Sequence, residues 1–147
     1  MPRLAPSVIL LILANLLPLV GVLWWGWSVF SVMFLFWLEN IIVGLLNIPR
    51  ILLASGDEEN GGHKIFSRIF SAAFFSFHYG FFTFVHGAFV FSMFGEEQYG
   101  EPTLALVWHL LGEQHLYWAI LALFISHLAS LILNYLLGGE YRLVTVK

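Results

Sequence analysis

The chain has 147 residues, of which 60% are hydrophobic and 10% are charged, and its formal net charge is −3. Soluble domains are about 45–50% apolar and about 25% charged, so a soluble fold of this size would expose a large apolar surface to water. The few basic residues do not cluster, which argues against nucleic acid as a partner, and the lack of cysteine excludes disulfides, thiolate nucleophiles and Fe–S clusters. The composition therefore predicts an integral membrane protein whose main partner is the lipid bilayer.

Four apolar segments are long enough to cross a hydrocarbon core about 30 Å thick, which takes roughly 20 residues of helix. They cover approximately residues 7–23, 29–53, 69–94 and 116–137. The first segment begins like a signal peptide, but its apolar run continues and no small-x-small cleavage site follows it, which favours a membrane span. We therefore expect an all-α fold, a four-helix bundle that forms a single transmembrane domain over residues 1–147.

The three connections between the spans differ in composition. Trp24–Trp27 contains one glycine and predicts a tight turn whose indoles lie at headgroup level. Residues 55–64 combine acidic residues with glycine and predict an exposed loop. The acidic connection 95–115 includes the apolar stretch 103–111, which predicts a short helix in the membrane interface.

Lysine and arginine predict the orientation of the chain. With four spans, all six basic residues fall at the termini or at the second connection, and none falls in the first or third connection. The positive-inside rule then places both termini on the cytoplasmic side. The residues are Arg3, Arg50, Lys64, Arg68, Arg142 and Lys147.

Several ionisable side chains fall at membrane depth, where each costs about 2.5–3.5 kcal/mol on insertion scales. At a rise of about 1.5 Å per residue, Glu39, His78 and His127 each lie roughly 14–16 Å from the end of their predicted span that is nearer to the basic residues. This depth is close to the bilayer midplane. His86 lies two turns from His78, towards the other leaflet. A common depth on three different helices predicts that Glu39, His78 and His127 meet.

The faces of the helices give partial support. His127, Ser130 and Asn134 follow i, i+3, i+7 spacing and form one polar stripe. The third span carries a stripe of small residues that permits close approach of a neighbour, and its histidines point roughly 120° away from the centre of that stripe. Both faces can be buried if the helix touches two neighbours. The small residues are Ala72, Ser76, Gly80, Thr83 and Gly87.

Two imidazoles and one carboxylate suit Zn, Fe or Mn, so Glu39, His78 and His127 are candidate metal ligands, with His86 as a further candidate. Haem b held by His78 and His127 is a second interpretation. The sequence has no His-Glu-x-x-His or Glu-x-x-His element, so the spacing carries no established zinc signature.

Two other classes of function stay open. Glutamate and histidine at mid-depth, with serine and asparagine on the same helices, are the materials of a proton or ion relay. Alternatively, the polar residues could hold helices together in an accessory subunit of a membrane complex or in a homo-oligomer. Asn40 or Ser130 could fix the tautomer of a neighbouring imidazole. The sequence assigns no enzymatic activity and no substrate.

Several motifs in the chain resemble those of an uncharacterised family of bacterial multi-pass membrane proteins, domain of unknown function 6498. The resemblance implies a polytopic protein of the bacterial cytoplasmic membrane and singles out Glu39, Asn40, His78, His86 and His127. It implies no activity. It also implies that family members continue into further C-terminal helices that this chain lacks, so that a partner or a second copy could supply a ligand. The motifs are Trp37-Leu-Glu-Asn40, the run from Phe77 to Val90, Ser126-His127, Asn134-Tyr135 and Gly139-Glu-Tyr-Arg142.

Overall fold

The computed structural model describes residues 6–56, 61–95, 104–113 and 116–145, and these are helical throughout apart from short turns. The α-helices are α1 Pro6–Trp25, α2 Val29–Leu53, α3 Gly61–Val90, α4 Leu104–Glu113 and α5 Leu116–Ser130. A π-helical turn follows α3 at Phe91–Gly95, another follows α5 at Leu131–Leu137, and a 3-10 turn lies at Glu140–Arg142.

Four of these helical segments are long and apolar enough to cross a membrane, which confirms the predicted all-α fold with four spans. Residues 29–53 and 116–137 agree with the prediction. The third helix begins at Gly61 rather than near residue 69, so the last part of the predicted 55–64 loop is helical. Residues 57–60 lie outside the described part of the chain. The four spans are Val8–Trp25, Val29–Leu53, Ile65–Gly95 and Leu116–Leu137.

The helices pack as neighbours in the order α3, α2, α5, α1. α2 contacts both α3 and α5, and α1 packs mainly against α5. α3 packs mainly against α2, so most of its circumference is exposed. A helix in this outer position has one main neighbour, and only one of its faces is covered.

An apolar core fills the half of the bundle that holds the α1–α2 turn, the end of α3 and α4. Phe91 joins it by edge-to-face contacts with Phe30 and Phe34, at centroid distances of 5.5 and 5.7 Å. We call this cluster the apolar plug, because its side chains are almost completely buried. Its members are Trp27, Phe30, Phe34, Leu35, Ile42, Val90, Leu106, Leu110, Leu116, Ala119 and Leu123.

One detail of the plug differs from the sequence predictions. Trp24 is exposed as expected of an interfacial indole, but Trp27 is buried. Its ring lies where a side chain on Gly21 would be, and its backbone N–H donates to the Gly21 carbonyl. The short helix predicted within residues 103–111 is present as α4, and its Leu106 is buried in the plug. Its position in the membrane interface stays a prediction.

α2 and α3 approach each other closely where glycine faces an aromatic ring. The Trp37 indole packs on Gly87, and its Nε1–H donates to the Thr83 carbonyl at 2.8 Å. The Tyr79 ring packs in the same way on Gly44. Interfaces of this kind suit a membrane, where small residues and hydrogen bonds bring helices together without a hydrophobic driving force.

The opposite end of the bundle, where α2 ends and α3 begins, carries Arg50, Arg68 and Arg142; we call it the basic end. Here the chain after α5 turns back through Gly139, whose φ of 76° suits glycine. The Ser55 N–H donates to the carbonyl of Tyr141 at 2.7 Å, which ties the end of α2 to the chain after α5. The basic residues in the described chain are therefore grouped at one end, as the charge pattern predicted.

Candidate functional site

Glu39 of α2 and His127 of α5 are in direct contact. Oε1 of Glu39 lies 3.0 Å from Nε2 of His127, which is a hydrogen-bonding distance. The Glu39 side chain is 15% exposed and that of His127 is 19% exposed, so both are largely buried inside the bundle. Of the polar residues predicted to meet at mid-depth, these two do so.

The packing of α2 against α5 explains why the pair forms. Glu39 lies one turn from both Leu35 and Ile42, which are buried. His127 lies one turn from both Leu123 and Leu131, which are also buried. Because side chains three or four residues apart share one face of a helix, the covered face of each helix directs its ionisable residue at the other.

The contact joins a carboxyl group and an imidazole by one hydrogen bond. A neutral imidazole has one nitrogen that donates and one that accepts, and a carboxyl group can donate when it is protonated. Which group donates in the Nε2–Oε1 contact therefore depends on the tautomer of the imidazole. In either arrangement, the contact brings together two side chains of the types that transfer protons in proteins.

A polar stripe on α5 leads from this pair towards the basic end. Ser130 and Asn134 follow His127 on the same face and are both half-buried. The amide nitrogen of Asn134 donates to Oγ of Ser130 at 3.5 Å, a long hydrogen bond. The stripe predicted from spacing is present, and it extends from the end of α5 into the π-helical turn that follows.

A cavity of about 810 Å³ opens at the basic end, between the end of α2, the start of α3 and the chain after α5. Tyr135 closes one side of it by donating from its hydroxyl to the Arg50 carbonyl at 2.5 Å. The polar residues that line the cavity are Asn47, Arg50, Ser67, Ser71, Tyr135, Glu140 and Thr145.

His78 and His86 do not join the Glu39–His127 pair. Both side chains are exposed on the outer surface of α3. The His78 ring packs against Phe74 and Phe82 of its own helix, at centroid distances of 5.4 and 5.0 Å. Within the described residues, no group of three or more His, Cys, Asp or Glu side chains is placed to hold a metal ion. The predicted metal or haem site stays a prediction.

Two features of the site were not predicted from the sequence. Ser126, next to His127, is buried, and its hydroxyl has no hydrogen-bond partner among the residues that the structure describes. Arg50 was assigned to the orientation of the chain alone, but its guanidinium lines the cavity and lies 5.8 Å from the centre of the Tyr135 ring. An arginine inside a predicted span was the available signal, because such residues are costly there.

The Asn40 side chain was predicted to orient an imidazole. In the structure, the backbone carbonyl of Asn40 accepts a hydrogen bond from the Tyr79 hydroxyl at 3.0 Å. This bond crosses from α3 to α2 one residue after Glu39. It therefore contributes to the position of the helix segment that presents the glutamate.

These observations define the chain as an all-helical protein with four helices able to span a membrane and an ionisable pair between two of them. The family model described as a family of unknown function, DUF6498, matches residues 2–147, and the chain belongs to this family. Comparisons with curated proteins and with solved structures gave no match.

Proposed function

We propose that this protein is a multi-pass protein of the bacterial cytoplasmic membrane that moves protons across the bilayer, with Glu39 and His127 as its proton-binding pair. The observation that carries the proposal is the 3.0 Å contact between Oε1 and Nε2 on two different membrane-length helices. Ionisable residues inside a membrane are costly, and chains of Glu, Asp and His commonly mark proton pathways.

The surroundings of the pair support access from one side. Towards the basic end, Ser130 and Asn134 continue the polar stripe in the direction of the cavity. Towards the other end, Phe34 and Leu35 of the apolar plug are completely buried. The polar stripe therefore offers a route to the pair from the basic end, whereas a proton that crosses the plug needs the helices to repack. This arrangement favours a carrier over an open channel.

The orientation follows from the same asymmetry. Arg50, Arg68 and Arg142 lie at the end from which the pair is accessible. The positive-inside rule places that end in the cytoplasm. The pair then exchanges its proton with the cytoplasmic side in this conformation.

Proton movement is tested with purified protein in liposomes that contain a pH-sensitive dye, under an imposed potassium diffusion potential. Wild-type protein should change the internal pH faster than empty liposomes do. The E39Q and H127A variants should lose this activity. H78A and H86A are matched controls. Each removes an exposed imidazole from α3, which carries neither member of the pair.

The outcomes separate the classes of function. Activity that depends on Glu39 and His127, but not on His78, supports the proposal. Wild-type protein that moves no protons overturns it, and retained activity in E39Q and H127A removes the pair from the pathway. A silent wild type whose E39Q and H127A variants lose stability alone would instead support the accessory-subunit interpretation.

A metal site is the second candidate, and the same contact favours it. At metal–ligand distances of about 2.0–2.2 Å, two adjacent ligands of one ion lie roughly 3 Å apart, so Oε1 of Glu39 and Nε2 of His127 have a suitable separation. A Zn, Fe or Mn ion bound there would polarise a coordinated water or substrate. Further ligands would come from a second copy, since His78 and His86 face outward.

Metal analysis of the purified protein tests this second candidate. A stoichiometric metal that is lost in H127A and in H78A would favour a shared site, and the same loss of a haem absorption band would favour haem. Metal content that is negligible in wild-type protein, together with proton movement, leaves the proton-binding pair as the function of Glu39 and His127.

A further inference from the structure

The cavity at the basic end combines opposite charges, hydrogen-bonding groups and apolar rings. Arg50 supplies a guanidinium, and Glu140 supplies a carboxylate from the chain after α5. Ser67 and Ser71, one turn apart on α3, add hydroxyls. The cavity volume of about 810 Å³ falls within the range of about 300–1,000 Å³ that is typical of small-molecule sites.

Arg50 retains unused hydrogen-bonding capacity. Its Nε is buried and has no acceptor among the residues that the structure describes. The guanidinium lies over the Tyr135 ring, which limits its orientations. A guanidinium in a fixed position offers planar, paired donors that match the oxygens of a phosphate group.

Apolar rings adjoin these polar groups. Phe70 and Phe74 line the cavity and are 62% and 59% exposed. Since α3 packs mainly against α2, these rings belong to its open side, where hydrocarbon chains would lie in a bilayer. An occupant of the cavity therefore meets both charged groups and aromatic carbon.

We propose that this cavity binds the headgroup of a zwitterionic phospholipid, of the phosphatidylethanolamine type. Its phosphate pairs with Arg50 and the cavity hydroxyls, its ammonium pairs with Glu140, and its acyl chains lie along Phe70 and Phe74. The carboxylate distinguishes this ligand from a purely anionic lipid, which Glu140 would repel. The apolar rings distinguish it from free phosphate. The proposal does not depend on proton transport.

Lipid retention by the purified protein in mild detergent tests the site, measured by native mass spectrometry with added phosphatidylethanolamine or phosphatidylglycerol. R50Q should bind phosphatidylethanolamine about tenfold more weakly, because a charge-assisted contact to the phosphate is lost. R142Q is the matched control. Arg142 also lies over a tyrosine ring, that of Tyr141, but it is exposed and lies outside the cavity lining.

The E140Q variant tests the other charge. It should bind phosphatidylethanolamine more weakly and phosphatidylglycerol more tightly, since the carboxylate attracts the ammonium and repels the anion. Melting temperatures of the variants confirm that each is folded. R50Q is expected to fold, because it is the backbone carbonyl of Arg50 that accepts from Tyr135.

Three results would overturn the proposal. Equal lipid binding by R50Q and R142Q would remove Arg50 from the site. Displacement of the lipid by inorganic phosphate would identify a small anion as the ligand. An unchanged preference between the two lipids in E140Q would remove the ammonium contact. E39Q should bind lipid normally, so a failed proton assay leaves this test unaffected.

Discussion

A double-mutant cycle on Glu39 and His127 measures the energy of their contact. The variants are E39L, H127L and E39L/H127L, because leucine fills a similar volume and cannot form a hydrogen bond. Each single variant leaves one polar group inside the bundle without its partner, whereas the double variant leaves neither. The structure therefore predicts that the two substitutions are not additive.

The size of the coupling follows from the geometry. Interhelical hydrogen bonds in membrane proteins average about 0.6 kcal/mol and reach about 1.7 kcal/mol, since the unfolded chain in the membrane also finds partners. The 3.0 Å distance and the low exposure of both side chains place Glu39–His127 at the upper end. We expect each single substitution to cost about 1–2 kcal/mol and the double variant to be more stable than the sum by about 1–2 kcal/mol.

Reversible unfolding in mixed micelles, followed by circular dichroism, gives the four free energies. The same cycle on Glu39 and His78 is the control. His78 lies on the outer surface of α3, so its coupling to Glu39 should fall within the 0.3–0.5 kcal/mol expected of independent sites. A coupling that small between Glu39 and His127 would refute the contact. Proton movement should be absent in E39L/H127L even though this variant folds.

Two glycines give further predictions, each measured as a melting temperature. In G87A the new methyl group would lie 2.6–2.8 Å from atoms of the Trp37 indole, which should destabilise the protein by about 1–3 kcal/mol. G80A is the control and should change the stability little, because the space around Gly80 is open. Equal effects of the two substitutions would contradict the close packing of α2 on α3. G139A should cost about 1–2 kcal/mol because of its positive φ, whereas G112A, within a helix and without neighbours, should be neutral or slightly stabilising. A neutral G139A would show that the left-handed turn is not needed.

Much of the fold could be predicted from the sequence because hydropathy and charge report directly on membrane spans. The bounds of residues 29–53 and 116–137 follow from apolar runs that end at polar or glycine-containing turns. The start of α3 was missed because Gly61 and Gly62 are poor helix formers and read as loop, whereas a helix that has already formed adds residues without the cost of nucleation. The burial of Trp27 depends on Gly21, which faces it across the turn, and spacing alone does not reveal that contact.

The sequence predicted how deep the candidate residues lie along their spans, but not which way their side chains point. Equal depth correctly predicted that Glu39 meets His127, since their helices are neighbours. It failed to locate His78, because the wheel position of a residue does not say how many neighbours its helix has. α3 has one main neighbour, to which it presents Thr83 and Gly87, and the opposite face with His78 is left exposed.

The position of the pair within the bundle bears on the proposed function. Glu39 lies one turn from Leu35 of the apolar plug, while His127 begins the polar stripe that runs towards the basic end. A pair inside a continuous polar path would pass protons in both directions and dissipate a gradient. Under the proposed function, the pair instead exchanges its proton with the basic end, and α2 and α5 have to repack before the proton can pass the plug. Because Glu39 and His127 join those two helices directly, the proposal also predicts that protonation of the pair and the packing of α2 against α5 depend on each other.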